Sequence, residues 1–155
     1  MSVFVNKVEI SETAIGQEMQ YHPAPSPERA WQLAAQSLVI RQLLLQKAAE
    51  DGICPAADSN ENDVRGNPAE EEAIDRLLEE NISMPEADEA TCRRFYATHP
   101  DSFRDEESGR RLAFDQAHVQ IRDYLHTRAM RMAIAEYIKA LSYRAKIKGI
   151  ELVNL

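Results

Sequence analysis

The sequence predicts a mainly α-helical protein with a short strand at each terminus, and three observations carry that expectation. Proline and glycine, seven and five among 155 residues, fall between apolar stretches and not inside them. The apolar residues between those breaks recur at three- and four-residue spacing, which is the helical period. Only residues 3–10 and 147–153 alternate with the two-residue rhythm of a strand.

Each element has its own signals. Val3-Phe4-Val5-Asn6-Lys7-Val8-Glu9-Ile10 is rich in β-branched residues around an asparagine able to turn the chain, so one short strand or a small hairpin is expected. Ser11 opens a short helix over 12–20 with Ile15 and Met19 on one face, and Pro23 and Pro25 break it. Ser26-Pro27-Glu28 is a helix start: the serine oxygen caps free amides, proline suits the first turn, and the acid meets the positive end of the dipole. That helix is expected to reach Asp51 and stop at Gly52. Its middle, 33–45, is apolar on nearly every side and is the expected core element.

Residues 54–67 are polar and contain Pro55 and Gly66, a loop. Asn67-Pro68 then caps a helix over 69–80 whose buried stripe is Ala73, Ile74, Leu77 and Leu78. After Pro85 an acidic start leads a helix through Phe95 and Tyr96 to Thr98, ended by Pro100. A wholly polar tract follows at 104–111. From Phe114 to about Ala145 the chain is helical, roughly 45–50 Å long at 1.5 Å per residue. Phe114, Ala117, Ile121 and Leu125 form one stripe on it, and Ile134, Ile138, Leu141 and Ala145 a displaced one. Such a helix needs partners along both stripes, from two regions of the fold or from a second chain. The two terminal strands are expected to pair, because either alone leaves its backbone groups unpartnered.

The formal charge of −8 argues against nucleic acid as a partner. Charge is unevenly spread: residues 61–89 hold eleven acids and two bases, whereas 110–155 hold nine bases and four acids. Two readings stay open, solvated faces of one fold or a basic groove for an acidic partner. No stretch has the apolar length of a membrane span, and the start lacks the pattern of a secretory signal. A cytoplasmic protein with Cys54 and Cys92 reduced is therefore expected.

No residues form a recognisable catalytic or metal motif. His118 and His126 lie two turns apart, about 12 Å along a helix, too far to share a metal. His22 and His99 sit beside prolines at helix ends. No catalytic residue, metal or cofactor is expected. The remaining clue is a set of apolar side chains at helix ends or off the main stripes: Tyr21, Met84, Tyr124, Met130 and Met132, with Tyr143. Flexible methionine and amphipathic tyrosine suit protein-binding surfaces, and core packing is the competing account of each. Arg122, Arg128 and Arg131 surround three of them.

Taken in order, four segments resemble the non-catalytic region of PpiC/SurA-type parvulin peptidyl-prolyl isomerases, especially the NifM-like branch. Val5-Asn6-Lys7-Val8-Glu9-Ile10 resembles the family's opening V-N-G-x-x-I, with Lys7 at the usual glycine. The run from Trp31 to Ala49 resembles its first long helix. Glu86 to Tyr96 with Phe103 resembles the segment preceding the isomerase domain. Phe114 onward, with Tyr137-Ile138, Leu141, Ala145, Ile147, Gly149-Ile150 and Leu152, resembles the segment following it. The family carries a whole parvulin domain between the last two segments, where this chain has only 104–113. No catalytic residue carries over.

The resemblance implies one SurA-like helical lobe over 1–155: an N-terminal region over 1–103, a short linker at 104–113, and a long helix and strand over 114–155. It implies a chaperone-like module holding unfolded or nascent client proteins; Tyr21, Met84, Tyr124, Met130 and Met132, singled out above by residue type and position, are the client-binding residues expected for it. A scaffold of an isomerase whose catalytic domain was deleted is the first alternative. A helical dimerisation domain, giving a homodimer, is the second.

Overall fold

The computed structural model describes residues 2–53 and 68–155; the loop expected at 54–67, with its Asn67 cap, lies outside them. The protein is mainly helical, with five α-helices among the described residues and a small antiparallel sheet of three strands. Two compact units arise, one from 1–81 with 134–155 and one from 82–133.

The first unit begins with a hairpin. Strand β1 (Val3–Val5) pairs antiparallel with β2 (Val8–Ile10) through a turn in which Asn6 takes φ +57°. Asparagine tolerates that left-handed conformation better than most residues. Strand β3 (Ile147–Lys148) pairs with the other edge of β1, so the sheet order is β2-β1-β3 and the terminal strands are joined as expected. Val3 and Val5 of the central strand are fully buried.

The expected strand over 147–153 stops at Lys148. Gly149 has φ +86°, and a Cβ there would lie 2.3 Å from the Ser2 carbonyl oxygen, so the chain turns sharply where only glycine fits. Beyond it the backbone groups are paired by side-chain amides. Gln32 donates to the Glu151 carbonyl at 2.9 Å, and Gln36 both donates to the Val153 carbonyl and accepts from its amide, at 2.8 and 3.0 Å. Ile150 and Leu152 still pack on the core. The alternation is a real burial signal, but the partner is a helix and not a strand.

Helix α1 (Glu12–Glu18) is capped by Ser11, whose oxygen accepts from the Ala14 amide at 3.1 Å, and it runs into a 3-10 turn at Met19–Tyr21. Helix α2 (Pro27–Glu50) is capped by Ser26, which accepts from the Arg29 amide at 3.2 Å. The chain leaves it through Gly52 at φ +74°. Residues Ala34, Ala35, Leu38, Val39 and Leu43 of α2 face a cluster with the sheet and Ile15; Leu44 and Ala48 face a second one. Leu33, Ile40 and Leu45 are half-buried, so burial of α2 is broad without being complete on every side.

Helix α3 (Pro68–Asn81) supplies Ala73 and Leu77 to the second cluster. Arg41 of α2 reaches Glu70 at 2.8 Å and also Glu71. Tyr137, Ile138 and Leu141, from the last third of α5 (Phe114–Arg144), complete that cluster.

The second unit holds α4 (Glu89–Thr98) and residues 114–133 of α5. Asp88 caps α4, accepting from the Thr91 amide at 2.8 Å. Cys92, Ala117 and Ile121 are its fully buried centre, ringed by Phe95, Tyr96, Phe103, Phe114 and Leu125. The polar tract between the helices is a tight antiparallel turn. Arg104 bridges to Arg111, the Leu112 amide donates to the Phe103 carbonyl at 2.7 Å, and Gly109 has φ +66°. Both stripes expected on α5 thus find partners, Ala117, Ile121 and Leu125 in this unit, Ile138 and Leu141 in the other.

Candidate functional site

Helix α5 has too little apolar periodicity over its whole length to bury one continuous face, and the turns around Tyr124 show the result. Ile121 and Leu125 belong to the aromatic cluster, which leaves the next side of the helix uncovered. Asp123, Tyr124, Thr127, Arg128, Arg131 and Met132 line an open groove of about 430 Å³ there. At 100° per residue these positions share one side of a helix. Tyr124 is 52% exposed and Met132 is 62% exposed, although both carry large apolar surfaces.

One edge of the groove is held by packing. The Tyr124 ring lies 5.5 Å from the Phe95 ring, which also stacks on His99 at 3.9 Å and meets Phe103 edge-on at 5.9 Å. Aromatic pairs of this kind add about 0.5–1.5 kcal/mol beyond area burial. The His99 ring is itself held at the end of α4, with Nδ1 2.8 Å from the Phe95 carbonyl oxygen. Tyr96 donates to the Leu112 carbonyl at 2.5 Å while Arg111 lies 3.8 Å from the centre of its ring. These contacts fix the framework that Tyr124 rests on.

The electrostatics of the groove are lopsided. Asp123 is occupied by Arg122 at 3.5 Å. Arg128 and Arg131 are exposed and form no ion pair among the described residues. In the cluster beside the groove, burial pushes the Cys92 thiol upward in pKa, so it stays protonated and unreactive.

Of the residues expected to bind clients, the structure brings Tyr124 and Met132 together. Met130 is half-buried and lies outside the groove, six residues from Tyr124 and so about 120° away around the helix. Met84 is half-buried at a separate position in the same unit. Tyr21 belongs to the other unit, at the end of the 3-10 turn, and is 53% exposed. Tyr143 is exposed on the last turn of α5. Residue type alone does not single out Thr127; the i, i+3, i+4, i+7 series from Tyr124 is the signal that finds it.

Two other places invite comparison. In the first unit Glu18, nearly fully buried, lies 2.9 Å from His22 Nε2 and accepts from the Ser37 hydroxyl at 3.4 Å. The carboxylate stands between hydroxyl and imidazole, so the histidine is not placed to activate the serine. A polar hollow of about 250 Å³ beside Asn6, Gln46 and Lys47 is compensated internally, since Lys47 pairs with Asp51 at 3.1 Å. Among the described residues no group of three His, Cys, Asp or Glu is placed to hold a metal ion, and no helix is long and apolar enough to cross a membrane. Comparison with protein-family models, with curated proteins and with solved structures gives no significant match for this chain.

Proposed function

We propose that the protein is a non-catalytic, client-binding module, chaperone-like in action, which holds unfolded or extended protein segments against the α5 groove. The observation that carries this reading is the exposure of Tyr124 and Met132 along one groove, with Tyr124 held against Phe95. Apolar area left over after the core is built is the nonspecific attraction available to a holding protein. Methionine adapts its shape to different guests, and tyrosine offers a ring with a polar tip. The buried, reduced Cys92 fits work in the cytoplasm.

The wider reading is kinship with the SurA-like, parvulin-type isomerases, in which a catalytic domain would sit between Phe103 and Phe114. The geometry there favours it as a second reading, that of a scaffold from which such a domain is missing. Phe103 and Leu112 are hydrogen-bonded neighbours at the mouth of an exposed turn. Exposed turns with adjacent ends are where inserted domains are tolerated.

The test is aggregation of a chemically denatured model protein, followed by light scattering with the full chain present. The parent chain is expected to slow aggregation, and Tyr124→Ser with Met132→Ser to weaken that protection while the circular dichroism spectrum is retained. Each lost apolar contact costs on the order of 1–2 kcal/mol when buried against a client. Met132→Ser alone, at a side chain the fold barely covers, separates binding from stability. Absence of protection by the parent at stoichiometric excess sinks the holding role. A mass twice that of the chain in static light scattering, lost in the double variant, assigns the groove to a homodimer.

A further inference from the structure

We infer that the α5 groove selects acidic, apolar peptide segments, with Arg128 and Arg131 taking carboxylates while Tyr124 and Met132 take neighbouring apolar side chains. The inference rests on the client-binding reading and narrows it to one chemical class of guest.

Four helical cations elsewhere in the protein have acidic partners close by in sequence. Arg93 reaches Glu89 at 2.7 Å, Lys47 reaches Asp51 at 3.1 Å, and Arg76 and Lys139 lie 3.8 Å from Glu80 and Glu136. All these partners stand three or four residues away, the spacing at which helix side chains meet. Around Arg128 those positions hold Tyr124, Leu125, Arg131 and Met132. Around Arg131 they hold Thr127, Arg128, Ile134 and Ala135. Neither set contains an acid. The two arginines are instead each other's neighbours, a like-charge pair at a spacing where like charges weaken a helix.

The groove's own acid does not relieve them, because Asp123 is paired with Arg122. Two guanidinium groups with no ion pair among the described residues therefore border two exposed apolar side chains, in a chain whose formal charge is −8. An arginine fork matches a carboxylate in geometry as well as in charge. A guest with glutamate or aspartate beside leucine or phenylalanine meets both halves of the site. The acidic bulk of the molecule repels a long polyanion, so the attraction is confined to the groove and favours short peptide segments over nucleic acid.

Two fluorescently labelled peptides with the same apolar residues at helical spacing, one with glutamate and one with lysine at the other positions, supply the test. Fluorescence anisotropy with the full chain at physiological salt is expected to show the glutamate peptide binding at least about tenfold tighter. Arg128→Gln with Arg131→Gln is expected to abolish that preference with an unchanged circular dichroism spectrum, and Arg131→Gln alone to reduce it. Equal binding of the two peptides, or an undiminished preference in the double variant, overturns the inference. If the peptides bind alike while Tyr124→Ser with Met132→Ser still removes protection from aggregation, client binding stands and acid selection falls. If neither peptide binds and no protection is seen, both fall. Displacement of the glutamate peptide by a short single-stranded RNA, or its loss through self-association of the chain, also overturns the peptide assignment.

Discussion

In the unit that holds the sheet, the fully buried side chains are aliphatic, Val3, Val5, Ile15, Val39 and Leu77 among them. Its polar fastenings join residues far apart in the chain, as where Asn6 accepts from the Lys146 amide at 3.0 Å. In the unit formed by 82–133, Cys92, Ala117 and Ile121 form the buried centre, and the surrounding shell is aromatic and half-exposed. Its fastenings are local: Tyr96 to Leu112, Leu112 to Phe103. Aliphatic side chains stabilise in proportion to the area they bury and have no polar tip to keep wet, and many in the first unit are fully enclosed. Aromatic rings contribute while one edge stays wet, so the second keeps apolar surface at its boundary. The candidate site sits where the core is least able to enclose its own side chains.

The sharpest way to break this contrast is to hollow out each core. Leu38→Ala, in the enclosed aliphatic cluster, is expected to lower stability by about 3–4 kcal/mol, measured by urea denaturation. Ile121→Ala is expected to cost less, about 2–3 kcal/mol, because a half-exposed shell relaxes into the space. With Cys54→Ser as background, Ile121→Ala is also expected to speed labelling of the Cys92 thiol, which burial otherwise protects. Equal costs at the two sites would show that the shells do not differ in the way described.

Gly149→Ala comes next. Its Cβ has no room beside Ser2 and its φ is positive, so about 1–3 kcal/mol is expected, concentrated in amide exchange of β1 and β3. Gly16→Ala is the matched control, in open space on α1, and is expected to stabilise by about 0.4–1 kcal/mol. Ser26→Ala removes one cap from α2 at a cost of about 1 kcal/mol in the same denaturation experiment.

The smallest effect expected is with pH. The Thr91 side chain and amide hold the Asp88 carboxyl below its ordinary pKa. A depressed folded value means that the cap contributes above the unfolded carboxylate pKa of about 3.9 and is lost as pH falls through the folded value. Asparagine caps without titrating, so Asp88→Asn is expected to match the parent in thermal unfolding near neutrality. Below about pH 4 the parent is expected to lose more stability than the variant. A difference between the two that persists unchanged into acid would deny the carboxylate its capping role.

Helix positions are legible in the sequence because their signals are local. Ser11, Ser26 and Gly52 mark ends that depend on a few adjacent residues, and the structure places caps and stops there. The pairing of terminal strands is also legible, since a strand cannot stand alone. What lies beyond local reasoning is the identity of partners across long separations. Nothing near Ile150 announces that Gln32 and Gln36 will bind the backbone that follows it, and so alternation alone predicts a longer last strand than the structure has. At the site, Tyr124, Met132, Arg128 and Arg131 stand out by residue type, and their shared face follows from helical spacing. Which methionine the core half-covers depends on packing around Met130, for which the sequence holds no local signal.

The central strand has a temporal consequence. β1 is made first and its partner β3 last, with 140 residues between the contacts of Asn6 and Lys146. At 5–20 residues per second a ribosome takes roughly 7–30 s to span that interval. Throughout it β1 is paired on one side only, and its other edge is open to any strand nearby. A newborn copy is thus briefly exposed in the manner of the guests it is proposed to hold. Slowing synthesis before Lys146 should lengthen that window and raise the fraction of chain lost to aggregation or proteolysis, without any change in the stability of the finished protein.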